Sequence, residues 1–162
     1  MLDIKKLFNR LFIDQEMKQK IGFFRKISIF NGLSSFDVGK LVTAMYCRAY
    51  ETDEIICSEH ELGKALFIIM SGEVAITRKS GLLKENKVLS RLQSGEFFGE
   101  MALLEEKPRS ATAKAMTSCQ VCIIYKANFD SMIEKNPKIG LVVIKNIAVI
   151  LSSRLRGMID GG

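Results

Sequence analysis

Apolar runs long enough to cross a membrane are missing from this sequence. The longest, such as Ala65–Met70 and Ile147–Leu151, fall far short of the roughly 18 residues a spanning helix needs. A secretory leader is missing too: the N-terminal apolar stretch is broken by Asn9 and Arg10 and offers no small-residue cleavage site, which predicts a cytoplasmic protein. Histidine is nearly absent, His60 being the only one. Without a second imidazole, or a cysteine or serine that the sequence can place beside it, neither a zinc site nor a nucleophile–base pair can be assembled, so no metal and no enzyme activity are expected. Cysteine is sparse. Four residues, Cys47, Cys57, Cys119 and Cys122, in a chain without a leader predict reduced thiols rather than a disulfide framework. Only Cys119 and Cys122 have ligand-like spacing, and in a strand side chains three apart point to opposite faces. Internal repeats and low-complexity segments are absent.

What is present is an ordinary globular composition. The 162 residues and 18.2 kDa suit one domain with a helical extension, and 48% hydrophobic with 26% charged residues supports a packed core. The net charge of +6 is unevenly placed. Residues 1–26 carry a net +4, residues 135–162 another +4, and the middle a net −2. A nucleic-acid platform concentrates its basic residues on one binding face, whereas here the positive charge lies on both flanks, so nucleic acid is not an expected partner.

The first segment places Leu2, Ile4, Leu7, Phe8, Leu11, Phe12, Met17, Ile21 and Phe24 near a 3.6-residue period, which predicts one or two amphipathic helices. A second helix is predicted from Ser34 or Ser35 through Met45, with serine capping its free N–H groups. From Cys47 the texture changes to short β-rich runs: Cys47–Tyr50, Glu54–Cys57, Ala65–Met70, Glu73–Arg78, Lys87–Leu92, Ser110–Ala115 and Cys119–Tyr125. Turn pairs such as Thr52-Asp53, Leu62-Gly63, Ser71-Gly72, Ser80-Gly81 and Ser94-Gly95 separate them, a rhythm of a compact antiparallel sandwich or barrel. Helix returns at Asn128 or Asp130. Pro137 then fits the first turn of a last helix striped by Ile139, Val142, Val143, Ile147, Ile150, Leu151 and Leu155. The fold class is therefore α+β.

The segment from Gly95 to Ala113 breaks the strand rhythm. Gly99 permits close backbone approach, and Met101-Ala102-Leu103-Leu104 is short and helix-prone, so free N–H groups at its start can cradle an anion. Arg109 can reach back with a bidentate guanidinium, Ser110 adds a hydroxyl, and the small residues after it let the backbone come near. Such a set fits a phosphate. Glu100 repels that phosphate unless its carboxylate accepts hydrogen bonds from hydroxyls, as a ribose offers. Phosphate with ribose means a nucleotide.

Phe98-Gly99-Glu100-Met101-Ala102-Leu103-Leu104, followed by Pro108-Arg109-Ser110-Ala111-Thr112, resembles the phosphate-binding cassette of cyclic nucleotide-binding domains. The stretches Phe24–Ser34 and Leu66–Val74 resemble that family's entry helix and β-roll, and the resemblance spans residues 21–157. It implies an eight-stranded antiparallel β-roll flanked by N- and C-terminal helices, with the last helix moving over the ligand. It also implies ligand-binding roles for Gly99, Glu100, Met101, Ala102, Arg109, Ser110 and Ala111. Glu100 would accept the ribose 2′-hydroxyl, Arg109 would pair with the cyclic phosphate, and Gly99 would admit the ribose. Backbone N–H groups around Ala102 and Ala111 would complete the cage. Ser110 leaves the base open, with cAMP ahead of cGMP on family frequency. One departure is the loop Glu59–Lys64, which has His60 and Lys64 where the family commonly places Gly and Asp.

These readings divide the chain into an amphipathic helix at 1–20, a cyclic nucleotide-binding domain at 21–157 and a tail at 158–162. The function expected is a stand-alone sensor of a cyclic mononucleotide that relays binding through its C-terminal helix to a protein partner. Two alternatives stand beside it. One is a ligand-free interaction module of the same fold, and the other is the sensor half of a transcription regulator, for whose DNA-binding module the residues after Arg156 leave no room. The basic N-terminal helix keeps a membrane surface open as a contact, and a homodimer along the last helix is a further expectation.

Overall fold

The computed structural model describes residues 4–80 and 85–160. The Ser80-Gly81 turn lies outside the described residues at Gly81, as do Met1–Asp3 and the last two residues of the tail. Two compact units are formed, one by residues 1–43 with 136–162, the other by Ala44–Lys135.

The central unit is the β-roll. Its strands are β1 (Tyr46–Tyr50), β2 (Ile55–Cys57), β3 (Ala65–Ser71), β4 (Val74–Ser80), β5 (Glu85–Leu92), β6 (Phe97–Phe98), β7 (Thr112–Ala115) and β8 (Cys119–Tyr125). They form two four-stranded sheets, ordered β1-β8-β3-β6 and β2-β7-β4-β5, with all pairs antiparallel. The core between them takes Phe67 and Ile69 from β3, Val121 and Ile123 from β8, Val74 from β4, and Ala113 and Ala115 from β7. Leu66, Ile68 and Ile124, on the opposite pleat, are buried as well. β3 and β8 therefore read as near-continuous apolar runs because they are central strands covered on both faces. Seven of the eight strands coincide with predicted runs. The eighth, Phe97–Phe98, is only two residues long and too short to show a period, but it pairs with β3 at Phe67 and Ile68.

The cysteine expectation needs correction. Cys47 and Cys122 are joined by a disulfide, while Cys57 and Cys119 are free and buried. The two bridged residues are 75 positions apart in sequence but stand directly opposite each other in the β1–β8 ladder, with Cα atoms 4.0 Å apart. Strand register created that pair, and nothing in the spacing of the cysteines announces it. Cys119 and Cys122 do lie on opposite faces of β8, since Cys119 joins the inter-sheet core and Cys122 does not.

Helix α3 (Lys126–Lys135) closes the central unit and packs on β8. It begins earlier than Asn128, because Lys126 donates to Asp130 one turn on, at 2.6 Å, and fixes the first turn. The other unit holds α1 (Ile4–Phe24), a 3-10 turn at Ser28–Phe30, α2 (Ser35–Thr43) and α4 (Pro137–Asp160). The N-terminal stripe is thus one helix. Ser34 caps α2 reciprocally: its Oγ accepts the Asp37 N–H at 3.1 Å and its hydroxyl donates to the Asp37 carboxylate at 2.7 Å. Helix α4 starts on Pro137 and packs on the 3-10 turn, where the Asn146 side-chain amide donates to the carbonyls of Ile29 and Asn31 at 3.0 and 2.9 Å. Its buried stripe is Ile139, Val143 and Ile147, and beyond Leu151 every described residue is exposed. Among the described residues no helix is long and apolar enough to cross a membrane.

Candidate ligand-binding site

Between β6 and β7 the chain turns at Gly99, whose φ of 76° is left-handed, and enters a 3-10 turn over Glu100–Leu103. A side chain at Gly99 would be strained by that φ. Its Cβ would also lie 2.9 Å from the Ala65 carbonyl oxygen and 2.9 Å from Arg109 Nη1. The corner therefore requires glycine, and it brings the backbone of residue 99 against the guanidinium ten positions later.

Arg109 is positioned by two kinds of contact. Its backbone belongs to a short antiparallel ladder with the loop after β2: the Arg109 N–H donates to the Glu61 carbonyl at 2.7 Å, the His60 N–H to the Arg109 carbonyl at 2.9 Å, and the Gly63 N–H to the Lys107 carbonyl at 2.9 Å. Leu62 and Pro108 face each other in the same ladder. The guanidinium lies over the ring of Phe67, 5.0 Å from its centroid, and donates to the Ala65 carbonyl at 3.2 Å. Phe67 in turn stacks on Phe98, centroids 4.9 Å apart and rings 10° from parallel. The cation thus rests on an aromatic platform built by β3 and β6, which limits its rotamers and leaves its fork pre-set for a planar or anionic partner.

Glu100 keeps only 5% exposure and is engaged by its surroundings. A carboxylate so withdrawn from water must be satisfied by donors, and the groups best suited are hydroxyls or N–H groups held in fixed positions. Ala102 is also buried and sits beside Gly63, where an added Cβ would be 3.2 Å from the Ala102 methyl and 3.1 Å from the Lys107 carbonyl oxygen. The Ala102 N–H, expected as a free donor for an anion, donates to the Gly99 carbonyl at 3.1 Å inside the 3-10 turn. Met101 is half exposed, Ser110 is exposed and Ala111 is half-buried at the entry to β7. Gly99, Ala102 and Arg109 are thus brought together, with the buried Glu100 in the turn between the first two.

Sequence reasoning missed the platform and the ladder. Phe67 and Ala65 lie in a run that reads as core. Gly63 carries the one faint signal, a glycine in a loop already noted for departing from the family's pattern. His60, at that departure, has a φ of 71° and an exposed side chain, so the left-handed geometry that glycine serves elsewhere is here adopted by histidine. Nearby groups respond to the site. Burial pushes the Cys57 thiol up, opposed by the charge of Arg109. The Glu61 carboxyl is held below its usual range, first by its hydrogen bond from the Ser58 N–H and least by Arg109.

Comparison with known proteins places this geometry. Residues 47–136 match the family model described as the cyclic nucleotide-binding domain. A cyclic AMP receptor protein from Thermus thermophilus is 32% identical over 128 residues, covering 79% of this chain and 57% of the relative. A cAMP-dependent protein kinase regulatory subunit from Yarrowia lipolytica is 31% identical over 129 residues, covering 78% of this chain and 33% of the relative. The chain thus spans from a third to just over half the length of these curated relatives. Among solved structures, the Thermus thermophilus catabolite activator protein superposes with a TM-score of 0.72 at 31% identity, over 81% of this chain and 59% of that one. A cyclic nucleotide-binding domain from Methylobacillus flagellatus superposes with a TM-score of 0.78 over 91% of this chain and 82% of that one, where 24% identity makes the likeness one of fold. The matched segment contains both sheets but for Tyr46, together with the Gly99 corner and the Arg109 platform, and by that match the chain belongs to the cyclic nucleotide-binding domain family.

Proposed function

We propose that the site between β6 and β7 binds a cyclic mononucleotide, with cAMP ahead of cGMP. The observation that carries this reading is the Arg109 guanidinium, set on Phe67 against the glycine-only corner at Gly99, with the withdrawn Glu100 carboxylate next in the chain. A cation and a carboxylate so close in sequence suit a ligand that presents an anion and hydroxyls on one small ring, as a ribose 3′,5′-cyclic phosphate does. In this reading Arg109 pairs with the phosphate, Glu100 accepts the 2′-hydroxyl, and Gly99, Met101, Ala102, Ser110 and Ala111 line the cradle. The Ala102 N–H serves the phosphate only by sharing or releasing its bond to Gly99. The protein acts as a binding module, not a catalyst. Support comes also from the family's relatives, whose names include a cyclic AMP receptor protein and regulatory subunits of cAMP-dependent kinase.

The output we assign is a change in α4 that a partner protein reads, since its outer half carries exposed Leu155, Met158 and Ile159. A second copy of the chain is the alternative occupant of that surface. Calorimetric titration with cAMP, cGMP and cyclic dinucleotides tests the binding, and hydrogen exchange over residues 138–157 tests the relay. Heat and thermal stabilisation with a cyclic mononucleotide, together with slower exchange in α4, are expected. No heat and no stabilisation at millimolar ligand rules out the sensor, and unchanged exchange at saturation rules out the relay.

A further inference from the structure

Three sulfur atoms converge on one face of the first sheet, from three adjacent strands, in a cluster that nucleotide binding does not use. Cys47 is on β1, Cys122 lies opposite it on β8, and Met70 is on β3, the next strand over. Met70 Sδ is 3.1 Å from Cys122 Sγ and 4.0 Å from Cys47 Sγ. The register explains why the thioether reaches them. Ile69 pairs with Val121 and Ser71 with Gln120, so Met70 is the extra residue of a bulge, a device that re-aims a side chain. The Ser94 hydroxyl, donating to the Met70 carbonyl at 2.7 Å, and the Gly95 N–H, donating to the Ile69 carbonyl at 2.8 Å, hold the bulge in place. Cys122 is fully buried and Met70 partly so, whereas Cys47 is exposed on an edge strand and supplies the way in.

We propose that Cys47, Cys122 and Met70 form a three-sulfur site for a soft monovalent metal ion, Cu(I) or its analogue Ag(I), opened by reduction of the disulfide. Donor chemistry selects the ion. Two thiolates and a thioether are soft ligands that match Cu(I), while Mg, Ca and Mn prefer the oxygen ligands this cluster lacks. Among the described residues no group of three or more His, Cys, Asp or Glu is placed to hold a metal, so the methionine is what completes the set. The chemistry balances in two steps. A dithiol reductant gives two electrons and two protons to the Cys47–Cys122 bond, which breaks to two thiols as the dithiol closes to its own disulfide. Binding of Cu(I) then forms two copper–thiolate bonds, releases the two thiol protons to solvent and leaves the oxidation state of copper unchanged. The oxidised pair is the closed form of the site.

The test uses the full chain, reduced with a dithiol, freed of it under anaerobic conditions and titrated with Cu(I) against a competing chelator. One equivalent is expected to bind, with a thiolate-to-copper charge-transfer band and three sulfurs in the X-ray absorption fine structure. Cys47→Ser, on an exposed position that tolerates the change, should weaken binding by about a hundredfold or more, and Met70→Leu by about tenfold with loss of one sulfur from the coordination shell. Cys57→Ala with Cys119→Ala should leave both readouts unchanged, as should oxidation of those two thiols. Wild-type affinity in Cys47→Ser, failure of the reduced chain to compete with the chelator, or tight binding by the disulfide form overturns the site. Met70→Leu with unchanged affinity and coordination overturns the three-sulfur assignment. Thermal melts of each variant separate loss of the site from loss of the fold.

Discussion

The Gly99–Arg109 cassette and the outer half of α4 are built on opposite principles. The cassette is fixed several times over: a left-handed corner that only glycine fits, a four-residue turn, a ladder to the loop after β2 and an aromatic ring beneath its cation. Helix α4 is fixed by Ile139, Val143 and Ile147 through its inner half, and from Ser152 onward the described residues are exposed. Pre-organisation suits a site that must recognise one small ligand. A long helix buried at one end and exposed at the other leaves its outer half few packing contacts, the feature on which the proposed relay rests.

The contrast inside α4 is the sharpest to break. Ile147→Ala should cost about 2–5 kcal/mol in urea unfolding, because it empties a fully buried position. Leu155→Ala, at a position 60% exposed, should stay within about 0.5 kcal/mol. Equal losses would mean that the outer half is packed in solution, as pairing with a second copy would require.

Within the cassette, Arg109→Ala should lower cyclic-nucleotide affinity by about 1.5–3 kcal/mol, or tenfold to a hundredfold, and should also lower the melting midpoint of the free protein, because the guanidinium leaves the Phe67 ring and the Ala65 carbonyl. A variant that binds as well as wild type would sink the phosphate assignment while leaving the fold intact. The ribose assignment needs a smaller, paired measurement. Wild type should discriminate against a 2′-deoxy ligand and Glu100→Ala should not, so the losses from the protein change and the ligand change should overlap instead of adding. Full additivity would move Glu100 from ligand acceptor to a support of the cassette.

A smaller effect than those at Ile147 and Arg109 lies at the start of α2. Ser34→Ala should destabilise by about 1 kcal/mol through loss of the cap. The Ser34 hydroxyl holds the Asp37 carboxyl below its ordinary range, so the folded state favours the charged form. That contribution is present above the unfolded pKa and is lost as pH falls through the lower folded value. The stability difference between wild type and Asp37→Asn should therefore shrink as pH drops below about 4. A difference that grows on acidification would assign Asp37 another partner.

Much of this was legible because it depends on neighbours in sequence. A serine cap at Ser34 or Ser35, Pro137 at the start of α4 and the glycine-punctuated strands act through hydrogen bonds and dihedrals that span a few residues. The cassette was legible for the same reason: its glycine, carboxylate and guanidinium fall within eleven consecutive residues. The two-residue β6 was not, since Phe97-Phe98 earns its strand character only from β3 beside it.

The sequence by itself determined the α+β order of elements, the placement of charge on the flanks and the residue types of the proposed nucleotide site. Each follows from periodicity, composition or a contiguous motif. Only the tertiary structure decided what surrounds them: that Phe67 carries Arg109, that Gly63 zips to Lys107, and that Cys47 meets Cys122 beside Met70. Those pairings join residues about 40 to 75 positions apart, and they exist only once the register of two sheets has been set by burying one pleat against the other.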